Sequence, residues 1–330
     1  MVGQDRIAER RADHRRLSAD QALSCGVDGC AVHAFNSLVI RMAPTTLPHD
    51  APVGIFDSGV GGLSVLRHIQ AQLPHEHLLY LADTGFAPYG DKPEAVVIDR
   101  VLSVADFLLA QGAKALVVAC NTATVAAVRE LRARHPGMPI VGVEPGLKPA
   151  AALTRNGQVG VLATERTLNG AKFLQLRDQI HLATGANFLL QPCVGLADQI
   201  EFGELDSSET GAMLERFIGP LLAAGADTLV LGCTHYPLVR ASIERLLKDA
   251  GRADVALVDT GDAVARQLAR LLQADGLLRA PSAVPARLTG YTSASATALT
   301  AAFRSLLGID PPVHETQIAV PAGWHTHRTI

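Results

Sequence analysis

Two short stretches constrain this chain more than any others. Ala115-Leu116-Val117-Val118 and Thr228-Leu229-Val230-Leu231 are apolar, largely β-branched runs that break off into Cys120-Asn121-Thr122 and Cys233-Thr234-His235. Continuous apolar runs of this length are what a parallel strand requires when both of its faces are buried. Ligands of open α/β sheets bind outside the carboxyl ends of the strands, so both thiols fall where chemistry is expected. The chain outside these stretches shows what surrounds them.

The fold opens at Val53-Gly54-Ile55-Phe56, followed by the turn Asp57-Ser58-Gly59-Val60-Gly61-Gly62 and a helix with Leu63, Leu66, Ile69 and Leu73 at helical spacing. A glycine-rich turn entering a helix presents backbone N–H groups to an anion. It matches neither GxGxxG nor a P-loop, which points to a carboxylate rather than a pyrophosphate. The simpler alternative is that Asp57 and Ser58 only cap the helix. Strands are then predicted at 77–83, 139–143, 158–163, 187–190, 255–259 and 286–291, with helices at 95–109, 123–134, 263–272 and 297–307. Asp206, with Glu209 three residues on, predicts the start of a further helix striped by Met213, Leu214, Phe217, Ile218, Leu221 and Leu222 and ended by Gly225. This alternation defines an α/β fold with mainly parallel sheets. The echo of one cysteine turn in the other predicts two similar α/β units with the site in the cleft between them.

At 330 residues the chain is long enough for two domains. A formal charge of −3 gives no general attraction to nucleic acid or membrane, and no apolar run reaches the roughly 18 residues of a membrane span. Five cysteines (Cys25, Cys30, Cys120, Cys193 and Cys233) are an odd number that fits a reducing cytoplasm better than a disulfide framework. No CxxC occurs, and Cys233 with His235 lacks a third ligand nearby, so no metal site is expected. Residues 1–50, with Arg6, Arg10, Arg11, Arg15 and Arg16 among scattered acids, read as a disordered extension. Met42 reads as the natural start, and neither a secretory signal nor a transit peptide is expected. Cys193, with no polar cluster beside it, reads as a small buried hydrophobe.

A pair of strand-end thiols leaves several chemistries open. Cys233 with His235 as its base is the pattern of a cysteine hydrolase or transferase. Two thiols flanking one substrate carbon can instead invert it, one thiolate removing a proton while the other thiol supplies one from the opposite face. Such a site has to stabilise a carbanion with aimed N–H groups, hydroxyls and exclusion of water. Either cysteine alone is most simply a core residue; two at matching strand ends favour chemistry.

Asp57-Ser58-Gly59-Val60-Gly61-Gly62, Pro88-Tyr89-Gly90, Cys120-Asn121-Thr122, Glu144-Pro145 and Cys233-Thr234-His235-Tyr236-Pro237 resemble, in order and spacing, the glutamate racemases of the aspartate/glutamate racemase superfamily over about residues 53–310. The resemblance implies two pseudosymmetric α/β domains: residues 51–146 plus 259–312 as a discontinuous first domain, 147–258 as the second, and 313–330 as a C-terminal tail. It implies interconversion of L- and D-glutamate without a cofactor, for peptidoglycan synthesis, with racemisation of a related acid such as aspartate as the alternative. By the resemblance Cys120 and Cys233 carry the protons, Asp57 assists Cys120, and His235 and Glu201 assist Cys233. Asp57, Ser58, Pro88, Tyr89, Gly90, Asn121, Thr122, Thr164, Thr234 and His235 hold the substrate. Gln191-Pro192-Cys193 stands where many members read Cys-Pro, so Glu201 is placed mainly by its spacing before Cys233; Gly170 replaces a serine common in the family. Glutamate is the expected partner, with no nucleic acid and no membrane, and a homodimer is the assembly carried forward.

Overall fold

The computed structural model describes residues 49–320, so the expected extension over 1–50 lies outside it apart from His49 and Asp50. The chain begins with β1 (Val53–Asp57), α1 (Leu63–Gln72), β2 (Leu78–Ala82), α2 (Glu94–Ala110), β3 (Ala115–Val118), α3 (Asn121–Arg134) and β4 (Ile140–Gly142). It continues through α4 (Leu147–Leu153), β5 (Gln158–Ala163), α5 (Glu165–Asn169), α6 (Ala171–Thr184), β6 (Asn187–Pro192), α7 (Leu196–Glu201) and α8 (Ser208–Ala223). It ends with β7 (Thr228–Leu231), α9 (Arg240–Asp249), β8 (Ala256–Val258), α10 (Gly261–Ala274), β9 (Leu288–Thr292), α11 (Ala296–Leu307) and β10 (Val313–Glu315).

Two parallel sheets result, one ordered β10-β9-β2-β1-β3-β4 and the other β6-β5-β7-β8. In the first the chain steps from β1 to β2 on one side and then places β3 on the other. In the second it steps from β5 to β6 and then places β7 on the far side. Each sheet thus has one switch point, between β1 and β3 and between β5 and β7, where ends of strands diverge and leave a crevice. Cys120 follows β3 and Cys233 follows β7, one at each crevice.

Every residue of β1, β2, β3 and β7 is buried, which is why these strands read as unbroken apolar runs. The two faces of the first sheet carry separate apolar clusters. Ile55, Leu66 and Ile69 pack with Leu268, Leu272 and Phe303 on one side, and Phe56, Leu81 and Leu116 with Val101, Val104 and Leu108 on the other. Truncating one of these fully buried leucines to alanine costs about 2–5 kcal/mol. The helix α10 follows β8 of the second sheet yet packs on the first, so the chain returns to the sheet it began with.

Two local expectations are corrected. The cap of α8 is Ser207, whose side chain accepts from the Thr210 N–H; Asp206 instead accepts from the Ser242 hydroxyl at 2.7 Å. Serine suits the cap because its short hydroxyl reaches the exposed N–H groups of the first turn. The expected tail from 313 opens with a strand, β10, parallel to β9. Its one apolar residue, Val313, gave too little pattern to reveal an edge strand.

One buried ion pair was not foreseen. Lys114, which is 0% exposed, lies 2.5 Å from Glu76 and donates to the His49 carbonyl at 2.6 Å, while Glu76 also accepts from the Arg279 N–H. Removing one partner strands a charge without water, so Glu76→Ala should lower stability by about 3–5 kcal/mol. Urea unfolding should show a reduced midpoint with an unchanged slope.

Candidate active site

Cys120 sits at the N-terminal cap of α3, with extended backbone at φ −77° and ψ 124°. Its Sγ accepts from the Ala123 N–H at 3.5 Å and lies 3.6 Å from the Ser58 hydroxyl. These contacts favour the thiolate, but burial and, after it, the nearby Asp57 charge push the thiol up to about 12. At neutral pH Cys120 therefore keeps its proton.

Cys233 has different company. Its Sγ lies 3.6 Å from His235 Nδ1, and His235 Nε2 lies 2.6 Å from Glu201 Oε2. Glu201, at the end of α7, also accepts from the Val60 N–H at 2.9 Å and from the Thr84 hydroxyl at 3.4 Å. Burial alone would lower the His235 pKa, but its bonds to Cys233 and Glu201 raise it well above the usual histidine range. Burial likewise would raise Glu201, and the bond from His235 reverses this. An imidazolium spanning a carboxylate and a sulfur can hold a thiolate or return a proton to it.

Asp57 closes β1 and is 0% exposed. Its Oδ2 accepts from the Gly62 N–H at 2.7 Å, and the Thr234 hydroxyl approaches both its oxygens at 3.4 Å. Asp57 thus braces the turn ahead of α1, a helix that has no side-chain cap of its own. It stands behind the cavity wall rather than on it, and it bears on Cys120 through its charge. Burial raises its own pKa, opposed chiefly by His235. The glycines of the turn have a steric reason. A Cβ on Gly59 would lie 2.3 Å from a Glu201 oxygen, and one on Gly61 would lie 2.5 Å from His235 Nδ1. Only glycine lets the first sheet's turn come this close to side chains of the second.

Both thiols line one cavity of about 220 Å³, together with Ser58, Pro88, Tyr89, Gly90, Asn121, Thr122, Thr164, Glu201, Thr234 and His235. Thr122 and Thr164 meet with their hydroxyls 3.1 Å apart, joining the ends of β3 and β5. Arg166 on α5 donates to the carbonyls of Gly90 and Lys92, tying the second sheet's helix to the loop that carries Tyr89.

The same wall includes residues that sequence reasoning did not assign. Cys193, expected to be an isolated core residue, lines this cavity with Cys233; burial pushes it up to about 12, and its Sγ donates to the Gln191 carbonyl at 3.4 Å. Asp91 and Asp198 also face it. Asp198 lies three positions before Glu201 on α7, a helical spacing that would have flagged it beside a known site residue. Among the described residues no group of three or more His, Cys, Asp and Glu side chains is arranged to hold a metal ion.

Two parallel-sheet units that each bring a strand-end cysteine to one polar cavity define a paired-thiol α/β enzyme. The sequence pattern of the Asp/Glu/Hydantoin racemase family matches residues 57–268, and the chain belongs to that family. A glutamate racemase of Pseudomonas paraeruginosa is 54% identical over 244 residues, 74% of this chain and 89% of the relative. Among solved structures, a glutamate racemase isoform of Bacillus anthracis superimposes with a TM-score of 0.71 at 30% identity, covering 81% of this chain and 97% of that one. The Escherichia coli glutamate racemase, solved with L-glutamate and the activator UDP-MurNAc-Ala, gives 0.70 at 32% identity, covering 82% and 99%.

Proposed function

We propose that this chain interconverts L-glutamate and D-glutamate by proton transfer between two thiols, supplying D-glutamate for peptidoglycan synthesis. The observation that carries the reading is the single cavity lined by Cys120 and Cys233, each from the switch point of its own sheet. One thiolate takes the Cα proton, so a C–H bond breaks and an S–H bond forms. The other thiol gives its proton to the opposite face of the carbanion, so its S–H bond breaks and the new C–H bond forms. The enzyme is left with the two sulfurs' protonation exchanged, ready for the reverse reaction.

The two sulfurs differ in their surroundings. Cys120 keeps its proton at neutral pH, whereas Cys233 faces an imidazolium held by Glu201. Ser58, Tyr89, Gly90, Asn121, Thr122, Thr164 and Thr234 bind the carboxylates and amine, and the N–H groups at the start of α3 face the charge that develops on the α-carboxylate. Asp57 positions Thr234 and the glycine turn.

Glutamate and aspartate differ by one methylene, which a binding pocket distinguishes by about 10–200-fold. Chiral chromatography of L-glutamate and L-aspartate incubated with the enzyme should therefore show kcat/KM higher for glutamate by that order. Faster aspartate conversion, or none with either acid, would overturn the reading. No helix among the described residues is long and apolar enough to cross a membrane, and the free thiols Cys120, Cys193 and Cys233 support the cytoplasm as the compartment. The homodimer is tested by light scattering against the 34.8 kDa chain mass.

A further inference from the structure

Asp83 follows β2, is fully buried and takes no part in the chemistry above. Its carboxylate accepts Nε and Nη2 of Arg100 at 2.7 and 2.6 Å, the Tyr89 hydroxyl at 2.6 Å and the Ser293 hydroxyl at 2.6 Å. Arg100, on α2 and only 3% exposed, turns its remaining nitrogen to the carbonyls of Ile318 and Ala319 at 2.8 and 2.9 Å. The guanidinium also lies 4.6 Å above the Phe86 ring, and Phe86 meets Tyr89 edge to face. Ile318 is buried in the same apolar cluster as Phe86 and Tyr89.

Tyr89 is thus a cavity wall hung by its hydroxyl from a buried carboxylate. That carboxylate is held by an arginine whose outer edge is closed by backbone beyond β10. An ion pair withdrawn from water is held in place only while its spare donors are bonded as well. We propose that residues 316–319 clamp the substrate-binding loop over 84–91, with Arg100 and Asp83 as positioning residues that transmit the clamp to Tyr89. Without the two carbonyls, Arg100 turns towards water, Asp83 loses its bidentate partner, and the Tyr89 ring is no longer fixed. The consequence is weaker substrate binding, with the thiols and their protons untouched.

The kinetic part rests on the glutamate reading, so the test has an arm that does not. A chain ended at Thr316 keeps β10 but lacks both carbonyls; a chain ended at Val320 keeps them. Hydrogen–deuterium exchange of peptides covering 84–92, measured without substrate, should be about tenfold faster in the Thr316-ended chain, as for a lost charge-assisted hydrogen bond, and unchanged in the Val320-ended one. KM for glutamate should rise by about the same factor with kcat held. Arg100→Lys, which cannot form the fork, should raise KM similarly, and combining it with the shorter chain should add less than about twofold. If the Thr316-ended chain does not fold, Arg100→Lys and Tyr89→Phe in the full chain carry the same expectation of raised KM and faster loop exchange. Unchanged exchange at 84–92, a loss confined to kcat, or KM effects that multiply would overturn the clamp. Absent racemisation in every chain would overturn the glutamate reading and leave the exchange result to decide the clamp.

Discussion

Cys120→Ser and Cys233→Ser should each lower the conversion of either glutamate enantiomer into the other by about 10²–10⁴-fold, the range expected when a positioned acid or base is lost. Serine keeps nearly the shape of cysteine but is far harder to ionise, so the fold should survive and thermal unfolding should stay close to that of the parent. The two variants should differ in what they retain. Each keeps one sulfur and so one face of the substrate from which a proton can be taken. In D2O, each should exchange the Cα hydrogen of one enantiomer with little inversion, and the favoured enantiomer should be opposite in the two. A hydrolase using only Cys233 and His235 would be indifferent to Cys120→Ser. Near-normal turnover in either variant contradicts the paired-thiol account.

Glu201→Gln should have the second largest effect, because it removes the charge that keeps His235 protonated beside Cys233. The bond at 2.6 Å persists in shape, but a neutral amide no longer favours the buried imidazolium. Burial then acts on His235 against the bond to Cys233 alone, so the imidazole pKa falls relative to the parent. The limb of the pH–rate profile that depends on the His235 proton should move to lower pH, with kcat at neutral pH reduced by about 10²-fold. Stability follows the same sign. His235 has a raised folded pKa, so its contribution is complete below the unfolded histidine value and is lost as pH rises through the folded value. Glu201→Gln should weaken that dependence, and urea titrations across the neutral to alkaline range would show the difference. A profile unchanged in position would mean that Glu201 only anchors the Val60 turn.

Much of this architecture is legible in the sequence. Parallel strands buried on both faces must be continuously apolar, so β1, β3, β5 and β7 announced themselves, and a strand's abrupt end marked each thiol. Tertiary relations were harder to see. Nothing local to Asp57–Gly62 reveals that two of its glycines make room for Glu201 and His235, residues far along the chain that reach the turn from the second sheet. Glu201 itself was placed by spacing and resemblance, and its value lies in contacts with His235 and Val60 that only the folded chain makes. Cys193 is the small buried core residue that the sequence suggests, and the fold in addition brings it to the wall of the cavity, which no local pattern reports. The knot around Asp83 was invisible for the same reason, since Tyr89, Arg100, Ser293 and Ile318 come from four separate parts of the chain. Local pattern reports burial and period; long-range polar bonds leave no period to read.

The most direct measurement is the fate of the Cα hydrogen during a single passage from L- to D-glutamate in D2O. If Cys120 and Cys233 act from opposite faces, the D-glutamate formed early carries deuterium at Cα while the remaining L-glutamate is still protiated. Transfer of the original hydrogen into the product, or deuterium appearing in unreacted L-glutamate as fast as in the product, would show a single acid–base group at work and contradict the account.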